Sequence, residues 1–201
     1  ALRRTPPPAA GALLAAIDRE VGRAVQAFKM NDPSASAPAL ARALAATRAA
    51  AKALAGDPDI VHLLSIKEDQ IQQAIGASLG IAFTAVAQVA GPVVPGQRFA
   101  VATQFTNRSA VSVTAPAIAL AAPDGWTVTS QGATPARAAA NEPIALSFAV
   151  TAPAAARLTR PYFARASIQE PRYTVSDSAA MHQPFGEAAL SAIARYHVDG
   201  V

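Results

Sequence analysis

"RFAVATQFTN", residues 98–107, decides how the second half of the chain is read. Phe99, Val101, Thr103 and Phe105 recur at every second position, and only a β-strand carries alternate side chains to one face. The same period returns in "IALSFAV", where Ile144, Leu146, Phe148 and Val150 alternate with small residues. Between the two runs lie "VSVTAPAIAL" and "GWTVTS", with a turn-forming "APDG" at Ala122–Gly125. Short strands separated by proline- and glycine-bearing turns predict an immunoglobulin-like antiparallel β-sandwich over residues 91–201.

Upstream the period is helical. Leu14, Ile17, Val21, Val25 and Phe28 make one stripe; Leu40, Leu44, Ala51 and Leu54 make a second. The third is the longest, through Ile60, Leu64, Ile71, Ile75, Leu79, Phe83 and Val86. "NDPSASAP" separates the first two helices, and "GDP" at Gly56–Pro58 supplies a C′ glycine, an N-cap aspartate and an N1 proline. Short connections make three antiparallel helices the economical arrangement. The expected fold is therefore a segregated α+β chain. A three-helix segment, residues 1–90, meets a β-sandwich domain, residues 91–201, at a hinge in "VAGPVVPGQ".

Composition narrows the function. The hydrophobic share is 52%, but much of it is alanine, which buries little surface, and aromatics are only 5%. Cysteine is absent, which excludes disulfides and thiolate metal sites. The net charge of +4 is spread evenly, with nine basic and seven acidic residues in 1–90 and eight and six in 91–201. An even spread argues against a nucleic-acid partner, which calls for charge gathered on one face. No run approaches the roughly 20 apolar residues that span a bilayer. The opening "ALRRTPPPAAGALLAAIDRE" begins like a signal peptide but continues as an amphipathic helix without a cleavage site. Both ends read as cuts, so a piece of a larger protein is expected.

The histidines, His62, His182 and His197, show no zinc-ligand spacing. His62 is expected on a helix face and His197 on the outer side of a strand. His182, in the loop "MHQPFGE", is the one histidine that could serve an enzyme, with Glu187 or Asp177. Glu68 and Asp69, in "IKEDQIQQ", point about 100° apart on a helix and cannot share a substrate as acid and base. Glu68 and Gln72 are instead candidates for a polar contact with another domain.

The richest stretch is "LTRPYFARASIQEPRYTV", residues 158–175, which sets Arg160, Arg165 and Arg172 beside Tyr162, Phe163 and Tyr173. Arginine and tyrosine together suit a protein interface, and aromatic rings also stack on sugars. The expected role is an interdomain seam, anchored by Tyr162, Phe163 and Tyr173, with Arg160 and Arg165 paired to Glu68 or Asp69. The alternative is a carbohydrate site, with Trp126 or Tyr162 exposed as a platform; the plainer expectation for Trp126 is a core position after the "PDG" turn.

Taken in order, "LLSIKEDQIQQAIGASLGI", "VVPGQRFAVATQFTNRS", "LAAPDGWTV", "TRPYFARASIQEPRY" and "ARYHVDGV" resemble the C-terminal portion of bacterial PIG-L/LmbE-like deacetylases, the GlcNAc-PI de-N-acetylase family. That resemblance covers about Leu40 to the end. It implies a noncatalytic accessory region that supports or orients a zinc-dependent catalytic domain upstream in the same parent chain, in an exported setting. The family's "AHPDD"-type metal motif has no counterpart here, so no catalytic residue, metal ligand or cofactor site carries over. The stretch "PGQRFAVATQFTN…APDGWTV" also looks like the sandwich module associated with some glycosidases, which implies an independent carbohydrate-binding module. The expected partners are the parent's catalytic domain, carbohydrate, and a second copy of the chain through the third helix.

Overall fold

The computed structural model describes residues 7, 9–175, 181 and 188–201. The proposed pairing of His182 with Glu187 or Asp177 lies outside the described residues. Three helices come first: α1 (Ala10–Ala27), α2 (Ala37–Ala53), preceded by a short 3-10 turn at Pro33–Ser36, and α3 (Pro58–Ser78). Nine strands follow among the described residues: β1 (Ala82–Gln88), β2 (Arg98–Thr106), β3 (Val113–Ala121), β4 (Thr127–Gln131), β5 (Arg137–Ala138), β6 (Pro143–Thr151), β7 (Phe163–Ala164), β8 (Thr174–Val175) and β9 (Ser191–His197).

Alanine governs how the helices meet. The face that α1 buries runs through Ala10, Ile17 and Ala24, with Leu13 and Val21 partly covered. The expected stripe shares only Ile17 and Val21 with it. Leu14, Val25 and Phe28 face outward, Val25 at 71% exposure. The α2 residues that share a cluster with this face are small, Ala50 with Ala46 and Ala51 partly covered, and Leu54 follows at the helix end. Ion pairs fasten the helix seams. Arg42 of α2 donates to Glu20 of α1 at 2.8 Å, Arg23 also pairs with Glu20, and Arg48 of α2 donates to Glu68 of α3 at 2.8 Å.

The start of α3 is as expected, with the Asp57 carboxylate accepting from the backbone of Asp59 and Ile60 behind Pro58. Its end is not. The stripe is buried through Ile60, Leu64, Ile71, Ile75 and Leu79 and then stops. Gly80 turns left-handed at φ 61°, Ile81 N–H donates to Gly76 C=O, and Gly80 N–H donates to Ala77 C=O, which is a Schellman stop. Phe83 and Val86, assigned to the helix by their spacing, belong to β1, in a run whose aromatic and β-branched residues favour a strand. The sheet thus begins at Ala82, inside the segment assigned to helices. "VAGPVVPGQ" is the connection of the β1–β2 hairpin rather than a hinge between halves.

β1, β2, β6 and β4 form a four-stranded antiparallel sheet in that order; β5, β3 and β9 form a three-stranded one. In the central pair, Phe99 lies opposite Val150, Val101 opposite Phe148, Thr103 opposite Leu146 and Phe105 opposite Ile144. The two period-two runs seen in the sequence therefore share one face. β3 carries an irregularity between Thr114 and Ala117, around Pro116, which cannot donate to the ladder.

One hydrophobic core takes residues from both sheets and from two helices: Phe99, Phe105, Phe148 and Val150 with Val113 and Ile118, and with Leu44, Ile71, Ile75 and Leu79. Helices and strands are segregated along the chain but joined in this core. Phe105 is fully buried, with ring centroids 6.5 Å from Phe83 of β1 and 5.6 Å from Tyr196 of β9. A Cβ on Gly76 of α3 would lie 3.5 Å from the Tyr196 hydroxyl. Burial raises the pKa of that hydroxyl above its usual 10.0.

Two outcomes follow. A Cβ at Gly80 would sit 3.0 Å from Arg108 Cβ and would be held at positive φ. Gly80→Ala is expected to destabilise the fold by about 1–2 kcal/mol, read as a lower urea midpoint with an unchanged slope. The Glu20 carboxylate is held below its usual 4.5, chiefly by the hydrogen bond from Arg42. Its stabilising contribution is complete above pH 4.5 and is lost as pH falls through the lowered folded value. Thermal melts from pH 7 to pH 3 should therefore show a smaller acid-induced loss of stability in Glu20→Gln than in the wild type.

Candidate ligand-binding hairpin

After β6 the chain leaves the core at Ala152 and enters the arginine- and tyrosine-bearing stretch. Pro161 and Pro171 each lack a backbone donor and suit an isolated ribbon better than a sheet interior. The ribbon is β7–β8, with Phe163 opposite Val175 and Ala164 opposite Thr174. Its connection contains a turn in which Glu170 N–H donates to Ser167 C=O at 3.2 Å. Alternation sets Tyr173, two residues before Val175, on the Phe163 face. The two rings meet edge to face, centroids 5.2 Å apart at 86°. Tyr162 meets Phe163 in the same way, at 5.2 Å and 89°. One step beyond the ladder the register brings Arg165 opposite Tyr173, and its guanidinium carbon lies 5.3 Å from that ring's centroid.

This aromatic row belongs to neither hydrophobic core cluster. Phe163 is 40% exposed and Tyr173 56%, while Tyr162 is half-buried. Arg157, Arg160, Arg165 and Arg172 are all exposed. The ion pairs among the described residues lie in the helices, so these four arginines have no carboxylate partner there.

The expected pairing of Arg160 and Arg165 with Glu68 or Asp69 is not formed. Glu68 Oε1 accepts from Arg48 at 2.8 Å and from Gln72 Nε2 at 3.2 Å, so Glu68 and Gln72 serve the α2–α3 seam. Arg48 wins because α2 and α3 are packed neighbours, whereas the hairpin has its own short ladder. Trp126 is half-buried and makes an edge-on contact to Phe99 at 6.3 Å and 85°, so it packs against the core from outside rather than occupying the core position expected of it. His62 and His197 are exposed, on α3 and β9. Among the described residues no group of three His, Cys, Asp or Glu could hold a metal ion, and no helix is long and apolar enough to cross a membrane.

Sequence reasoning missed an open cleft of about 610 Å³ where the end of α3 meets the β2–β3 connection. Asp32, Ser34, Ser78, Gly80, Arg108 and Ser109 line it. The wall is set by Asn107, almost fully buried, whose Oδ1 accepts from the Ser109 backbone and hydroxyl and whose Nδ2 donates to Val111 C=O. "TNRSAV" carries the signal for such a side-chain-closed turn. Asp32, on the cleft wall, accepts a hydrogen bond from the Ser34 hydroxyl at 2.6 Å.

Residues 93–169 match the family model of the NPCBM-associated, NEW3 domain of alpha-galactosidase. The match opens in the β1–β2 connection and closes in the turn of the aromatic hairpin, so it takes in β2 to β7. Searches of curated proteins and of solved structures gave no match. The matched stretch contains the segment that looked like a glycosidase-associated module, and it gives no support to the deacetylase resemblance. What is supported is a β-rich, carbohydrate-associated module joined to three helices.

Proposed function

We propose that this chain is a noncatalytic accessory module that engages carbohydrate through the hairpin around Tyr162, Phe163 and Tyr173. The observation that carries the proposal is the edge-to-face pair of exposed rings, Phe163 and Tyr173, with half-buried Tyr162 against Phe163, outside both hydrophobic clusters and beginning within the family-matched stretch. Sugar rings present flat C–H faces to which an exposed aromatic side chain offers an apolar partner, with polar neighbours fixing orientation. The antiparallel sheets then act as an immunoglobulin-like sandwich whose open side is completed by α2 and α3, a rigid base for the loop that meets the ligand. On this reading the catalytic domain it serves is elsewhere in the same parent chain. The deacetylase identity of that domain rests on sequence resemblance alone, whereas the family match favours a glycosidase setting.

Calorimetry of the full chain against a panel of neutral and acidic oligosaccharides tests the proposal. Binding to at least one class is expected, weakened about three- to tenfold by Tyr173→Ala, with the melting temperature unchanged because the ring is outside the core. Binding to no glycan, or binding indifferent to both Tyr173→Ala and Phe163→Ala, would overturn it.

A further inference from the structure

The hairpin carries a charge as well as a row of rings. Between Ala156 and Val175 lie four arginines and a single acidic residue, Glu170. Elsewhere in the chain the two signs are nearly balanced, and the helices use their charges on each other, Arg42 and Arg23 on Glu20 and Arg48 on Glu68. The hairpin arginines have no such duty. All four are exposed, none forms an ion pair with a described residue, and Arg165 lies over the Tyr173 ring. The basic side chains here are all arginine, although lysine occurs at Lys29, Lys52 and Lys67 in the helical part. Arginine differs from lysine in presenting a planar fork that matches a carboxylate in two parallel hydrogen bonds, and in stacking on aromatic faces.

We propose that the hairpin between Leu158 and Val175 recognises a negatively charged sugar, such as a uronic acid residue of an acidic polysaccharide. The aromatic row would take the apolar face of the ring, and Arg165 with Arg160 or Arg172 would take its carboxylate. The proposal rests on the carbohydrate reading above and narrows it to one class of ligand. A nucleic acid would also answer to arginine and aromatic rings. It is disfavoured by extent, because tracking a phosphate backbone takes several successive contacts along a groove. Here the excess of positive charge, four arginines against Glu170, lies in one short stretch between Ala156 and Val175.

The probes are polygalacturonate, its fully methyl-esterified form, a neutral β-glucan and single-stranded DNA, each placed in a native gel or titrated by calorimetry against the full chain. Methyl esterification removes the carboxylate charge and keeps the polymer, so it separates charge from ring recognition. Polygalacturonate is expected to bind and the ester to bind about tenfold more weakly. The double variant Arg165→Ala/Arg172→Ala should lose binding to the same degree. Tyr173→Ala, which keeps every charge, should also lose it; that sets site recognition apart from attraction to any basic protein. Arg19→Ala/Lys52→Ala removes the same charge from exposed helical positions and should leave binding unchanged. Circular dichroism melts confirm that each variant is folded.

Equal binding of the ester or the β-glucan would overturn the acidic-sugar assignment and leave the carbohydrate module standing. Binding to no polysaccharide would overturn both. DNA binding as tight as that of polygalacturonate, or a loss in Arg19→Ala/Lys52→Ala equal to that in the hairpin variants, would overturn the assignment in favour of general polyanion attraction.

Discussion

Phe105 is where the separate parts of the molecule are made to depend on one another. Its ring is fully buried between Phe83 of β1 and Tyr196 of β9, and its strand partner is Ile144 of β6. It is covered only when the four-stranded sheet and the end of the three-stranded sheet are both in place. Gly76 brings α3 against Tyr196, so the helical part is drawn into the same cluster. A void the size of a phenyl ring costs about 3–5 kcal/mol, a large share of the roughly 5–15 kcal/mol that holds a domain together. With so few aromatic residues in the chain, few other sites could carry that share.

The other constraint is the abundance of alanine. Alanine side chains bury little area each, and the helix seams also carry ion pairs. Glu20 lies between Arg23 and Arg42, and Glu68 between Arg48 and Gln72. Exposed pairs of this kind contribute modestly to stability. They link α2 to α1 through Glu20 and to α3 through Glu68. The larger apolar side chains left over, Leu14, Val25, Phe28 and Met30, are pushed to the outside of the helical part.

What could be read from the sequence follows from the same physics. β2 and β6 were legible because Phe99 to Phe105 and Ile144 to Val150 alternate without exception, and a register slip by one residue would invert both faces. The start of α3 was legible because Asp57 and Pro58 have single preferred positions at a helix N-terminus. α1 was misread because helical spacing can be drawn through Leu14 and Val25 or through Ala10 and Ala24. Weighting by side-chain size selects the former; the packing selects the latter. Phe83 and Val86 continue a helical spacing by coincidence, and the stop lies in a backbone feature, the left-handed Gly80, that periodicity does not register. The hairpin residues were identified as a group, but their pairing was not, since the choice between Arg48 and Arg160 as the partner of Glu68 depends on which segments are neighbours. The cleft at Asn107 depends on the approach of two distant segments and left only its local turn in the sequence.

Arginine stands in two settings in this chain, paired at the helix seams and unpaired along the hairpin. Arg42 and Arg48 sit at helix seams with carboxylates at 2.8 Å, and their charge is spent within the fold. Arg160, Arg165 and Arg172 belong to a hairpin outside both hydrophobic clusters, with Arg157 just before it and Glu170 and Asp177 as the nearby acids in sequence. Like charges gathered in a short segment repel one another, and among the described residues of that segment Glu170 is the one acid set against them. A fold that needed only to close this hairpin could do so with Phe163, Tyr173 and the turn at Ser167. The arginines add nothing to that closure except where Arg165 covers Tyr173, and there the guanidinium keeps its fork available to solvent-borne anions. On the proposed reading, the carboxylate of a bound acidic sugar would be the group that neutralises this charge.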